Sequence, residues 1–201
     1  GEPNCILIDS KGLIDRKDEF KKLMWDNFQI DSINSTWDFE EPLIWSISVG
    51  ILLEKAQKIL NSEKMVAHFH EWLSGFSLLY LNTKNSSIKT IFTTHATMLG
   101  RTIAGSGQPL YSILDKVNPE EEARKLGIID KYSTEKACAL ISNVFTTVSE
   151  ITSIEAEKLL GRKADILLLN GLDMDQFPTF EEISVKHRIS REVMREFFSY
   201  Y

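Results

Sequence analysis

Three of the four histidines in this 201-residue chain fall in two short segments, Ala67-His68-Phe69-His70-Glu71-Trp72 and Thr93-Thr94-His95-Ala96-Thr97, and Gly100-Arg101 follows the second. A neutral imidazole donates from one ring nitrogen and accepts at the other, so it suits sugar hydroxyls, while a guanidinium suits phosphate or carboxylate. His-x-His with a distant histidine is also compatible with zinc, with Glu71 as a further ligand, although Trp72 and an immediate helix start crowd such a site. The plainer reading packs one histidine within a sheet and leaves the others to hydrogen-bond backbone or sugar hydroxyls. Arg101 reads equally as an anion ligand or as the partner of one of the many acids. Asn170-Gly171, a turn directly after an apolar run, is a third polar strand end.

Other chemistries find no support. Gly-x-Ser-x-Gly is absent, and Cys138 lies in an apolar helical pattern that disfavours a thiolate. Glu71 is the one acid at a promising strand end, and a single acid is not the pair that glycoside hydrolysis needs. Gly105-Ser106-Gly107 has too few glycines for a dinucleotide fingerprint, and no phosphate-loop motif occurs. Cys5 and Cys138 form no CxxC, and both read as buried thiols among apolar neighbours. The four tryptophans, Trp25, Trp37, Trp45 and Trp72, read as core or domain-contact residues, with Trp72 the one candidate for a stacking platform.

Short apolar runs that suit strands occupy residues 5–8, 65–69, 88–94, 144–148 and 165–169. If the second of these runs through both histidines, period two puts His68 and His70 on one side. Helical patterns fill the gaps. One spans 17–28, before an irregular stretch over 31–41; Pro42 is placed to open the next, whose stripe holds Leu43, Ile47 and Ile51. Residues 72–81 are too apolar for an exposed helix. Asn118-Pro119-Glu120-Glu121-Glu122 caps a helix that Gly127 can end, and Thr152-Ser-Ile-Glu155 reads as a capping box before a helix stopped at Gly161. Alternating strands and helices predict an α/β, Rossmann-like three-layer sandwich with a mainly parallel sheet, whose ligands bind at the carboxyl ends of strands. Residues 172–201 carry a long amphipathic pattern with Ile189, Val193 and Phe197 on one stripe and no evident partner, which predicts self-association.

The charge balance is 23 basic against 29 acidic residues, net −6, with no dense Lys/Arg block, which argues against nucleic-acid binding. No apolar run approaches the ~18 residues of a spanning helix, and no secretory signal is visible at Gly1-Glu2-Pro3-Asn4. A cytoplasmic setting is the expectation.

Four ordered motifs carry a resemblance: Val66-Ala-His-Phe-His-Glu-Trp72; Ile91-Phe-Thr-Thr-His-Ala-Thr97 with Leu99-Gly-Arg101; Val144-Phe-Thr-Thr-Val-Ser-Glu-Ile-Thr152; and Asn170-Gly171-Leu172. Over roughly residues 4–201 the chain resembles glycogen synthase of the animal, fungal and Bacteroides-like type, glycosyltransferase family three. The resemblance implies a retaining transfer of glucose from UDP-glucose to the non-reducing end of an α-1,4-glucan. It implies the two-domain GT-B fold with no metal or other cofactor. It places His70 on the glucose side of the donor site with Glu71 and His68 in support, and Thr94, His95 and Arg101 at the cleft wall. No Lys-x-Gly-Gly donor loop occurs in the sequence. The chain is therefore expected to be a segment of the N-terminal half, with residues 1–171 a partial Rossmann-like domain and 172–201 a connection toward a second one. Such a segment should be inactive alone. The alternative is a stand-alone, non-enzymatic sugar- or glucan-binding module.

Overall fold

A computed structural model describes residues 4–62, 64–173 and 177–200. After a 3-10 turn at Lys11–Arg16 the order is α1 (Lys17–Phe28), α2 (Trp37–Leu60), β1 (Val66–His70), α3 (Glu71–Thr83), β2 (Lys89–Thr94), α4 (Met98–Gly105), α5 (Leu110–Ile113), α6 (Pro119–Lys125), α7 (Ile129–Ile141), β3 (Val144–Thr147), α8 (Glu150–Leu160), β4 (Ile166–Leu167) and α9 (Ile183–Ser199). The chain forms two compact units, Gly1–Leu169 and Asn170–Tyr201. No helix among the described residues is long and apolar enough to cross a membrane.

The four strands are parallel in the order β1-β2-β3-β4, which bears out the α/β, Rossmann-like class. Because the order advances one way, right-handed crossovers place the connecting helices on a single face, so the described residues show helices covering one side of the sheet where a three-layer sandwich was expected. Phe69, Phe92 and Phe145 lie side by side in register on that face, all buried. The cross-sheet stack of Phe92 on Phe145 has ring centroids 6.1 Å apart. α3 packs against β1 and β2, and against α2 and α7, to complete the core. The alternate residues Val66, His68 and His70 of β1 look the other way and are exposed, the period-two consequence of a strand with one covered face.

Several local signals are realised as read. α1 spans the expected residues, α3 is largely buried, and Asn118 caps α6 by accepting the Glu121 N–H. Others are overruled by packing. Residues 5–8 form no strand: Ile6 and Leu7 are exposed, with no neighbouring strand among the described residues to supply ladder hydrogen bonds, and Cys5 is exposed rather than buried. α2 begins at Trp37, inside the stretch expected to be irregular, and Pro42 is its sixth residue rather than its opening. So early a proline removes one intrahelical bond, to the Asp38 carbonyl, while the buried side of the helix (Phe39, Leu43, Ile44, Ile47) holds it together. The cap of α8 is Ser149, whose hydroxyl accepts the Thr152 N–H at 3.1 Å; Thr152 is not the cap. β4 keeps two residues of its apolar run, and the Leu168-Leu169 side chains before Asn170 are exposed, as suits a strand with one neighbour. Trp25, Trp37 and Trp45 are half exposed, while Trp72 is buried and stacked on Phe39, so it offers no platform. In the second unit α9 shows Ile189, Val193 and Phe197 more than half exposed.

Candidate functional site

β1 runs through His70, so His68 and His70 share the uncovered face, their ring centroids 4.2 Å apart. Each ring is engaged differently. The His68 Nε2 meets Thr93 Oγ1 at 2.6 Å, and Thr93 in turn meets Thr146 Oγ1 at 2.5 Å on β3. His70 Nδ1 meets His95 Nε2 at 3.0 Å, which leaves His70 Nε2 without a protein partner among the described residues. In a neutral pair one imidazole donates and the other accepts. With the His95 N–H as donor, His70 carries its own proton on Nε2 and presents it outward.

The chain reverses from β1 into α3 at Glu71, which adopts φ +63°, a left-handed conformation that is strained for a side chain other than glycine. That turn sends the Glu71 carboxylate across to the next strand end, where Oε1 accepts the His95 N–H at 2.8 Å and Oε2 lies 3.9 Å from Arg101. The Arg101 side chain is 59% exposed. Two imidazoles, a carboxylate and a guanidinium thus converge at the carboxyl ends of β1 and β2, where open parallel sheets bind ligands. Burial, then the neighbouring histidines, push the His68 and His70 pKa values down, with Glu71 opposing the shift at His70. Both rings are therefore neutral at pH 7, able to hydrogen-bond hydroxyls without carrying charge. Among the described residues no group of three His, Cys, Asp or Glu side chains is arranged to hold a metal ion.

Thr94 does not join this cluster. One residue along the strand from Thr93, it points to the covered face, is fully buried and donates to Glu135 Oε1 at 2.5 Å. Asn170 and Gly171 belong to the second unit.

The glycogen synthase family model matches residues 1–200. The chain belongs to the glycogen synthase family. It is 36% identical over 198 residues to glycogen (starch) synthase isoform 2 of Saccharomyces cerevisiae, 36% over 197 to the Dictyostelium discoideum glycogen (starch) synthase, and 33% over 197 to the human liver form. Each alignment covers 98% of this chain but 28%, 22% and 28% of those proteins, so the chain spans less than a third of their length.

Two buried acids hold this site from below: Glu135, which the sequence does not single out, and Glu155, which it places in a capping box. Glu135 on α7 is fully buried and accepts from Thr94 Oγ1 and, at 2.7 Å, from the Met98 N–H. Glu155 on α8 accepts from the Thr97 N–H at 3.2 Å and from the Thr97 hydroxyl; it closes no capping box. The signal was present as periodicity: Glu135 falls three residues from both Tyr132 and Cys138 on the buried stripe, and Glu155 falls four from Leu159.

Desolvation, reinforced by the charges of Glu71 and Glu155 and opposed by its two hydrogen bonds, pushes the Glu135 pKa up to about 7. The folded protein therefore holds a proton there that the unfolded chain releases near pH 4.5, and this contribution to stability declines as pH rises from that value through 7. Glu135→Gln is expected to raise the unfolding free energy more at pH 8 than at pH 5, as read from urea transitions at the two pH values. Equal effects at both would mean that Glu135 does not titrate in the fold.

Proposed function

We propose that this chain forms the donor-sugar wall of a retaining glucosyltransferase that moves glucose from UDP-glucose to the non-reducing end of an α-1,4-glucan. The observation that carries the reading is the convergence of His70, His95, Glu71 and Arg101 at adjacent strand ends in a member of the glycogen synthase family. His70 faces glucose hydroxyls; His68 lies behind His70, its ring tilted against it, and Glu71 orients both His95 and Arg101. Arg101 supplies positive charge toward the departing diphosphate, where fixed charge counts most in the transition state. Thr94 acts from below the site, through Glu135.

Residues 1–171 serve in this reading as part of one Rossmann-like domain, and 172–201 lead toward a second that closes the cleft. The reading carries a cytoplasmic location, no cofactor, and a chain that is inactive by itself. The exposed apolar stripe of α9 supports a face covered in the intact protein. The isolated 201-residue chain is accordingly expected to self-associate, seen as a sedimentation coefficient that rises with concentration; a constant monomer value would remove the stripe as an interface.

The deciding experiment incubates the intact protein with UDP-glucose and a maltooligosaccharide primer. Extension of the primer by α-1,4-linked glucose is expected. Saturable glucan binding with no extension would favour the non-enzymatic binding module instead.

A further inference from the structure

Glu135 and Glu155 come from different helices, α7 and α8, yet both carboxylates aim at the same short loop between β2 and α4. Neither is matched by a lysine or arginine among the described residues. A buried carboxylate without a cation is unfavourable in a core, where an apolar side chain of similar volume would serve folding better. Its donors explain where it sits. The first N–H groups of a helix have no intrahelical partner, and α4 begins at Met98, whose N–H goes to Glu135, behind Thr97, whose N–H and hydroxyl go to Glu155.

With Glu71 on the His95 N–H, the backbone donors of residues 95, 97 and 98 each end on a carboxylate, and the Thr94 hydroxyl does too. Gly100 gives an independent sign of close fit. Its N–H reaches Thr97 Oγ1 at 3.0 Å, and a Cβ built on it would overlap Glu155 Oε1. The first turn of α4 is closed onto that carboxylate so tightly that no side chain fits between them. The loop so held carries His95 to His70 and starts the helix that brings Arg101 to Glu71.

We propose that Glu135 and Glu155 are positioning residues of the donor-sugar site, holding loop 94–100 so that His95 and Arg101 meet the β1 strand end. The proposal rests on the glucosyltransferase reading for its kinetic consequence and on the loop geometry alone for its structural one. A neutral amide can replace either carboxylate. After Glu135→Gln the new side chain would accept from the Met98 N–H and donate to Thr94 Oγ1; after Glu155→Gln the amide oxygen would accept both Thr97 donors.

The experiment uses the intact protein and compares Glu135→Ala, Glu155→Ala, Glu135→Gln and Glu155→Gln by glucosyl-transfer kinetics and by hydrogen exchange of the peptide covering 94–101. Both alanine variants are expected to lower kcat roughly 10- to 100-fold, the scale of a small misplacement in an active site, with a lesser change in KM for UDP-glucose. Exchange at 97 and 98 should quicken while the sheet stays protected, and each glutamine variant should restore both readouts. Folded alanine variants with wild-type kcat and unchanged exchange would overturn the proposal. So would glutamine variants that fall as far as alanine with the loop still protected, since charge and not position would then matter. If the alanine variants do not fold, Thr94→Val, which keeps volume and removes the hydroxyl donor to Glu135, takes their place: slower turnover with faster exchange at 97 and 98 supports the proposal, and no change in either overturns it. A wild-type protein that transfers no glucose refutes the glucosyltransferase reading, and the exchange data then test the loop by themselves.

Discussion

Replacing His70 by alanine in the intact protein is expected to lower glucosyl-transfer turnover by roughly 10²-fold, the scale of losing a contact that positions the reacting sugar, while the protein stays folded. The ring is exposed, its Nδ1 is tied to His95, and its Nε2 has no protein partner among the described residues. Truncation therefore removes an outward-facing hydrogen-bonding group and leaves no buried gap. The lost bond to His95 lies at the surface, where water replaces it, so the stability cost should be below about 1 kcal/mol. Initial rates and thermal melts run on the same preparation separate the two effects. Unchanged turnover would take His70 out of the site, and a parallel loss of folded protein would reassign it to structure.

The opposite pattern is expected one residue and one strand away. Phe92→Ala should destabilise the fold by about 3–5 kcal/mol, the usual range for emptying a buried aromatic position. Phe92 is fully buried on a central strand, between the registered neighbours Phe69 and Phe145 and stacked on the latter. The cavity would open under the strand that delivers His95, and a marginally stable domain has little reserve against such a loss. Urea denaturation reads the effect directly. A shift under about 1 kcal/mol would mean that the neighbouring rings collapse into the space and that this row of phenylalanines is not the core of the sheet. Together the two variants separate the faces of one sheet: alternate residues on β1 and β2 build either the core or the site.

That alternation is legible in the residue order, because side chains on a strand point to opposite faces whatever surrounds them. It put His68 and His70 together, and the ordered motifs around His70, His95 and Arg101 were enough to expect a glycogen synthase relative. The helix at 17–28 and the Asn118 cap were equally readable, since their signals lie within a single turn of chain. The apolar stretch 5–8 forms no strand for the converse reason: a strand exists only when another strand bonds to it, and apolar composition says nothing about a partner.

The α/β class, the family and the shared face of His68 and His70 all follow from local pattern or from motif order. Long-range packing is what turns Thr94 away from the cluster, bends Glu71 into a left-handed turn that bridges two strand ends, and brings Glu135 and Glu155 beneath the loop that carries His95. Periodicity can mark an acid as lying on the buried stripe of a helix. Which donors it meets there depends on how α4, α7 and α8 pack, and those contacts join residues 37 to 58 positions apart in the chain.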